Sequence, residues 1–371
     1  MGVLAGAGSR AAGPDGGDGA PGGSAATAAV GEPVGAPAEE VAPLTFGFLD
    51  EPPGRLVRVA GVRLHLDCTA APDGAGGPVV LFDAGLGGSA LEWGPVRERL
   101  AGSVGTCTYD RAGYGWSDPT ARPRDAAALA RELGALIDAA GIERPVVLVA
   151  HSFGGFVARL LADARPDAVA ALVLVDASHE LQFARLEAAG GRRMLPRGRQ
   201  FVISSNPAPE NLPDELRRRV AAFGRMRKTY AATHGEMAAF RESADQVGRA
   251  RTRRGVPFAV PVTVVRRGAR LYPEDARGRA KNDGWEALQD DLAALGSPGR
   301  AVVAEGAGHH VHVDAPDVVA REVLALVRAL RAGAAGTGVA GPDAAGTDAA
   351  DAPHLPSLPV SPATPPGTPE R

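Results

Sequence analysis

Val147-Leu148-Val149-Ala150-His151-Ser152-Phe153-Gly154-Gly155-Phe156 is the stretch on which the reading of this chain turns. A short apolar run, suited to a buried strand, passes directly into small-x-Ser-x-Gly, and a helix-forming stretch follows at once. That layout suits a nucleophile elbow. The turn is so tight that its central residue is held in strained backbone angles, and the flanking residues must be small. Ser152 would then stand at the end of a sheet with the first turn of the next helix aimed at it. Ala150 stands where glycine is usual. A bare Ser-x-Gly is common by chance; the strand before it and the helix after it are what give this one weight.

Outward from the elbow, strand and helix patterns alternate. Residues 56–59 and 62–66 alternate apolar and polar around Ala60-Gly61 and read as an edge hairpin. Residues 79–82, 105–109, 146–149 and 171–175 are compact strand-like runs, and two later ones fall at 260–265 and 300–304. Residues 91–100 read as a helix. Residues 126–140 carry Leu129, Leu133, Leu136 and Ile137 on one helical face, closed by Gly141. A helix from about 153 to 164 and a final one from about 316 to 330 complete the pattern. Such alternation implies an α/β fold with a mostly parallel sheet and helices on both faces. Between about 177 and 256 it breaks into a helix-prone, Arg-rich insertion, read as a helical lid over the carboxyl ends of the strands. Its Arg runs, 217–219 and 251–254, read as a solvated surface, with a preference for anionic substrates as the sharper alternative.

The chain has 371 residues and a net charge of −3, which argues against a nucleic-acid footprint. Residues 1–45 and 333–371 are dominated by Gly, Ala and Pro and read as disordered tails, leaving 50–332 as one domain. The two cysteines, Cys68 and Cys107, each fall in an expected strand and read as buried thiols rather than a bridge. There is no cationic start followed by an apolar leader, and no apolar run approaches about 18 residues, so neither a secretory signal nor a membrane span is expected. The expected compartment is the cytoplasm. Nothing in the sequence speaks to oligomeric state. No cluster has metal-ligand spacing and no dinucleotide or phosphate-loop fingerprint occurs, so no metal or cofactor is expected.

A serine needs a neighbouring base, usually a histidine held in one tautomer by a carboxylate. Glu305-Gly306-Ala307-Gly308-His309-His310-Val311-His312 follows the last strand, and a Gly-rich loop lets an imidazole swing back over the sheet. His309 is the expected base, with His310 and His312 as fallbacks. His310 is expected to point away, His312 to pack locally, and His151 to serve as pocket wall or scaffold. Asp83, Asp110 and Arg111 read as structural, the last two bracing the loop below the site. Trp93, Tyr114 and Trp116 are candidates for an acyl pocket or, more commonly for aromatics, core packing.

On these residues the chain resembles the α/β-hydrolase fold superfamily over roughly residues 53–330. The resemblance rests on Ala84-Gly85-Leu86-Gly87-Gly88-Ser89, on residues 109–119 (YDRAGYGWSDP), on the elbow and on Gly308-His309. It implies an eight-stranded, mostly parallel sheet with a helical cap, and hydrolysis of an ester or related small-molecule acyl compound. It also implies oxyanion donors at the Leu86 and Phe153 N–H groups. Amide, lactone and carbon–carbon acyl cleavage are open to the same machinery. Dehalogenases and epoxide hydrolases of this fold use a carboxylate nucleophile, so Ser152 argues against those chemistries. Two departures stand out. Ala84 replaces the histidine common at the oxyanion loop. The usual acid slot after the seventh strand holds Leu271, with Glu274 and Asp275 shifted. Some relatives carry the acid at the end of the sixth strand, where this chain has Asp176. Asp176 is therefore the favoured acid and Asp275 the alternative. His179 reads as a hinge residue of the lid. The rival from another class is a binding protein on the same fold with negligible turnover.

Overall fold

The computed structural model describes residues 51–72, 76–143, 145–189 and 208–336. The expected N-terminal tail, and the C-terminal one beyond Gly336, lie outside these residues, as does 190–207 of the expected insertion. An eight-stranded sheet runs in the order β1-β2-β4-β3-β5-β6-β7-β8. Its strands are β1 (Arg55–Val59), β2 (Val62–Thr69), β3 (Val80–Asp83), β4 (Thr106–Tyr109), β5 (Val146–His151), β6 (Val169–Val175), β7 (Val262–Arg267) and β8 (Gly299–Ala304). The β1–β2 hairpin and the β2–β4 pair are antiparallel, and every other pairing is parallel.

Alternating side chains of the central strands feed two cores. Leu148 and Ala150 of β5 with Leu172 and Leu174 of β6 face one core. Val147 and Val149 with Ala171, Val173 and Val175 face the other. Period-two alternation with both faces apolar is why these strands read as continuous hydrophobic runs. Helices α2 (Ala126–Ala140) and α3 (Gly154–Ala164) cover the first face; α1 (Gly94–Leu100) and α10 (Pro316–Gly336) cover the second. α2 has the expected bounds, with Asp125 capping its start and Gly141 (φ 66°) its end. The stretch read as one helix over 91–100 is a 3-10 turn, Ala90–Trp93, followed by α1. α10 runs past the expected domain edge at residue 332.

Between β6 and β7 lie α4 (Gln182–Ala188), α5 (Asp214–Gly224), α6 (Arg227–Ala238) and α7 (Phe240–Arg254). The last of these differs from the expectation of a lid reaching residue 256. Phe240, Ala244, Val247 and Ala250 of α7 are buried in the main core beside α3. Several of the insertion's arginines are paired: Arg217 with Asp214, Arg219 with Glu215, Arg251 with Glu180 and Asp291, Arg254 with Asp163.

Helix α8 (Ala276–Ala293) was not legible in the sequence. Gly278 and Gly284 interrupt its pattern and charges surround it, so its apolar face shrinks to Trp285, Leu288 and Leu292. The expectation of free thiols is overturned: Cys68 and Cys107 form a disulfide. They face each other across β2 and β4 with Cα atoms 4.1 Å apart. The Asp110 N–H donates to the His65 carbonyl. Counting inward from that hydrogen-bonded pair, 68 and 107 fall on the closely spaced, non-hydrogen-bonded kind.

Candidate active site

Ser152 follows β5 at φ 49°, a left-handed conformation that non-glycine residues rarely adopt. The surrounding ladder holds it there. Its N–H donates to the Val175 carbonyl at 3.2 Å, and its carbonyl accepts from the Ser178 N–H at 2.9 Å. Small neighbours are required. A Cβ on Gly154 would come within 2.8 Å of the Ala84 carbonyl oxygen, and one on Gly155 within 2.6 Å of the Ala177 Cβ. Across the site, a Cβ on Gly85 would approach His151 Nδ1 to 2.7 Å. The elbow and the loop after β3 thus touch backbone to backbone.

The loop after β8 brings His309 over the sheet. Ser152 Oγ and His309 Nε2 are 3.0 Å apart, and His309 Nδ1 and Asp176 Oδ2 are 2.7 Å apart. Hydroxyl, imidazole and carboxylate thus form one continuous chain, with the Ser152 O–H aimed at Nε2 once Nδ1–H donates to Asp176. Asp176, just past β6, is also in the left-handed region at φ 39°. Its Oδ1 accepts from Trp285 Nε1 at 2.8 Å and from the Arg267 N–H at 3.3 Å. Its Oδ2 also accepts from the Arg267 guanidinium at 2.7 Å. Burial alone would raise this carboxyl. The hydrogen bond from His309 and the charge of Arg267 outweigh it and hold Asp176 at about 2. Burial also lowers the His309 imidazole, to about 4, against the opposing pull of Asp176. The ring is thus neutral, and able to accept a proton, near neutrality. Arg267 and Trp285 were missed by sequence reasoning. Arg267 closes a strand that was expected to end at 265, and Trp285 sits on the unread α8.

Asp275 caps α8, accepting from the Gly278 N–H at 2.6 Å. His310 and His312 stand around His151, with ring centres 5.5 and 4.4 Å from it. His312 is fully buried against Trp93. His151 Nε2 bonds the His309 carbonyl at 2.9 Å, which ties the residue before Ser152 to the backbone of the imidazole loop. Burial keeps His151 well below its usual value, so its ring is neutral. His179 Nε2 bonds Asp291 of α8 at 2.7 Å, tying the chain after β6 to that helix. Asp110 accepts from His65, the Ala90 N–H and the Trp116 N–H, a bracing arrangement. Trp93 and Tyr114 are core residues; Trp116 is half-buried against Phe223.

Leu86 lies in the loop after β3 and Phe153 at the start of α3. Neither N–H is taken by an acceptor among the described residues' loop and side-chain hydrogen bonds. A cleft of about 880 Å³ between α2, α3 and α7, lined by Ala130, Leu161, Arg254 and Phe258 among others, contains none of these site residues. Among the described residues, no group of three or more His, Cys, Asp or Glu side chains could hold a metal ion.

A mostly parallel sheet flanked by helices, with a serine on a strained strand-to-helix turn, defines the α/β-hydrolase fold. Residues 79–322 match the sequence model of the alpha/beta hydrolase family, and the chain belongs to that family. The uncharacterized protein YqjL of Bacillus subtilis is 25% identical over 246 residues, 66% of this chain and 82% of that protein. A putative carbamate hydrolase, RutD of Azorhizobium caulinodans, is 40% identical over 103 residues, which cover 28% of this chain and 38% of RutD. Among solved structures, wild-type Cfl2 from Burkholderia cenocepacia superposes with a TM-score of 0.57 at 22% identity, covering 74% of this chain and 95% of Cfl2. That likeness is one of fold. No helix among the described residues is long and apolar enough to cross a membrane.

Proposed function

We propose that this hydrolase-family protein is a serine hydrolase that cleaves a carboxylic ester or related acyl compound through an acyl-enzyme. The observation that carries the reading is the unbroken chain from Ser152 Oγ through the His309 ring to Asp176. His309 Nε2 takes the Ser152 proton as Oγ attacks the acyl carbonyl. Asp176 holds the Nδ1–H tautomer and stabilises the imidazolium that forms. The developing oxyanion is held by the N–H groups of Leu86 and Phe153, a kind of donor worth about 10²–10³ in rate. His309 then returns the proton to the leaving group, and water attacks the acyl-Ser152 by the same steps in reverse. Of the helices between β6 and β7, α5 and α6 act as a cap over this site, while α7 packs into the main core.

A fluorophosphonate probe, read by peptide mass spectrometry, tests this directly. Stoichiometric modification of Ser152, with turnover of nitrophenyl esters of rising chain length, is the expected result. A folded protein that stays unlabelled would instead be a binding protein on the same fold. The cytoplasmic placement loses one of its supports, because a Cys68–Cys107 bridge persists best in an oxidising compartment.

A further inference from the structure

Arg111, at 3% exposure, spends all five guanidinium N–H groups. Nε and Nη2 donate to the two oxygens of Glu236 at 3.1 Å each. Nη1 donates to Asp83 at 2.8 Å and to the Ala84 carbonyl at 2.6 Å, and Nη2 donates to the Gly85 carbonyl at 2.6 Å. Its two shortest bonds thus go to the loop that carries Leu86. The Gly85 carbonyl and the Leu86 N–H belong to one peptide group. Because that group is planar and trans, they point in opposite directions. Fixing the carbonyl fixes the N–H, and a cationic donor on the carbonyl also polarises the N–H into a stronger donor.

The guanidinium is itself oriented from the cap side. Glu236 is fully buried on α6, and its carboxylate also accepts from Arg124 at 2.6 Å and from the Tyr114 hydroxyl at 2.9 Å. It meets Arg111 fork to fork, an arrangement that sets the plane of the group as well as its charge. We propose that Arg111, clamped by Glu236, is a positioning residue that aims the Leu86 N–H, so that α6 and the oxyanion loop move as one unit. This deepens the serine-hydrolase reading and rests on it. Charge balance alone would require only Asp83 and Glu236 around Arg111; the two carbonyl bonds are what the aiming role adds.

The test uses the full-length protein and the variants Glu236→Gln and Arg111→Lys, each checked for a cooperative thermal melt. Labelling of wild-type Ser152 and its ester turnover are measured first; their failure refutes the serine-hydrolase reading and leaves this inference without a subject. With those in hand, Glu236→Gln turns one acceptor of the fork into a donor facing Arg111. The expected result is a kcat about 10–100-fold lower with KM within about twofold. The affinity of an alkyl boronic acid, which mimics the tetrahedral oxyanion, falls by the same factor. Arg111→Lys, with three donors and no fork, approaches the loss of a whole oxyanion donor, about 10²–10³-fold. Unchanged kcat and boronate affinity in folded Glu236→Gln overturn the inference. A rise in KM with boronate affinity intact also overturns it, since that assigns Glu236 to substrate binding. Should Glu236→Gln fail to fold, Tyr114→Phe, which removes one of the two donors to Glu236 Oε2 and leaves Arg111 as the other, must lower kcat several-fold at constant KM; a wild-type kcat there overturns it equally.

Discussion

Replacing Asp176 with Asn tests two duties of one carboxylate at once. The first is the proposed catalytic one. Asp176 Oδ2 accepts from His309 Nδ1 at 2.7 Å, and an amide of the same size turned toward that nitrogen puts the ring proton on Nε2. Nε2 then cannot accept from Ser152, and kcat is expected to fall by about 10⁴, or roughly 5 kcal/mol of barrier. The second duty is structural. Arg267, 7% exposed, loses its anionic partner, and one-sided loss of a buried ion pair costs about 3–5 kcal/mol. The backbone and Trp285 bonds to Oδ1 survive the change, which places this variant at the lower end. The structural effect carries its own pH signature. The Asp176 carboxyl is held at about 2 against an ordinary 3.8, so its ionised form adds roughly 2 kcal/mol of stability. Because the folded value is depressed, that contribution is complete above about pH 4 and disappears as pH falls through about 2. Melting temperatures of the two proteins should therefore differ clearly at pH 7 and converge toward pH 2, while ester turnover at pH 7 reports the tautomer. Asp275→Asn is the control: Asn caps a helix about as well as Asp, so both stability and turnover should stay close to wild type. An Asp176→Asn enzyme within tenfold of wild type, or a larger loss in Asp275→Asn, would refute the reasoning.

Protonated His309 cannot take the Ser152 proton, so kcat/KM should fall as pH drops. Burial lowers that group, so the inflection should lie below the ordinary histidine value and toward about 4; a measured inflection at or above 6.5 would contradict it. Reducing the Cys68–Cys107 bridge, whose ends are 39 residues apart, should cost about 2–4 kcal/mol. A melt in the presence of a thiol reductant, repeated with Cys68→Ser/Cys107→Ser as the reference, measures this, and an unchanged melting temperature would show the bridge to be energetically idle.

What the sequence disclosed and what it hid differ in physical kind. Strands buried on both faces announce themselves as apolar runs, and a helix with one apolar stripe and a glycine stop, such as α2, declares its bounds. The elbow was readable because its small neighbours are forced by close backbone approach. α8 was hidden because its buried face is narrow and two glycines dilute it. Arg267 and Trp285 were hidden with it, since an arginine at a strand end and a lone tryptophan carry no spacing signal; only the packing of α8 against β7 brings them to Asp176. The disulfide depended on the register between β2 and β4, which separation along the chain does not encode. Asp176 over Asp275 was a matter of family analogy, and the two acids now have visibly different surroundings: four hydrogen bonds from three residues around one, a helix start beside the other.

Because His151 pairs with Val175, Ser152 and Asp176 terminate adjacent parallel strands on the same rung. Their separation is thereby tied to a single inter-strand pitch, about 4.8 Å, a dimension that mutation of surface residues can hardly alter. An acid mounted on the tip of β7 would have stood two pitches away, about 10 Å. The connection from β7 into α8 is left without a chemical assignment in this arrangement. Its close packing, with a Cβ on Gly268 coming within 2.7 Å of the Ala304 carbonyl oxygen and Asp275 capping α8, serves instead to seat the helix that carries Trp285 to Asp176.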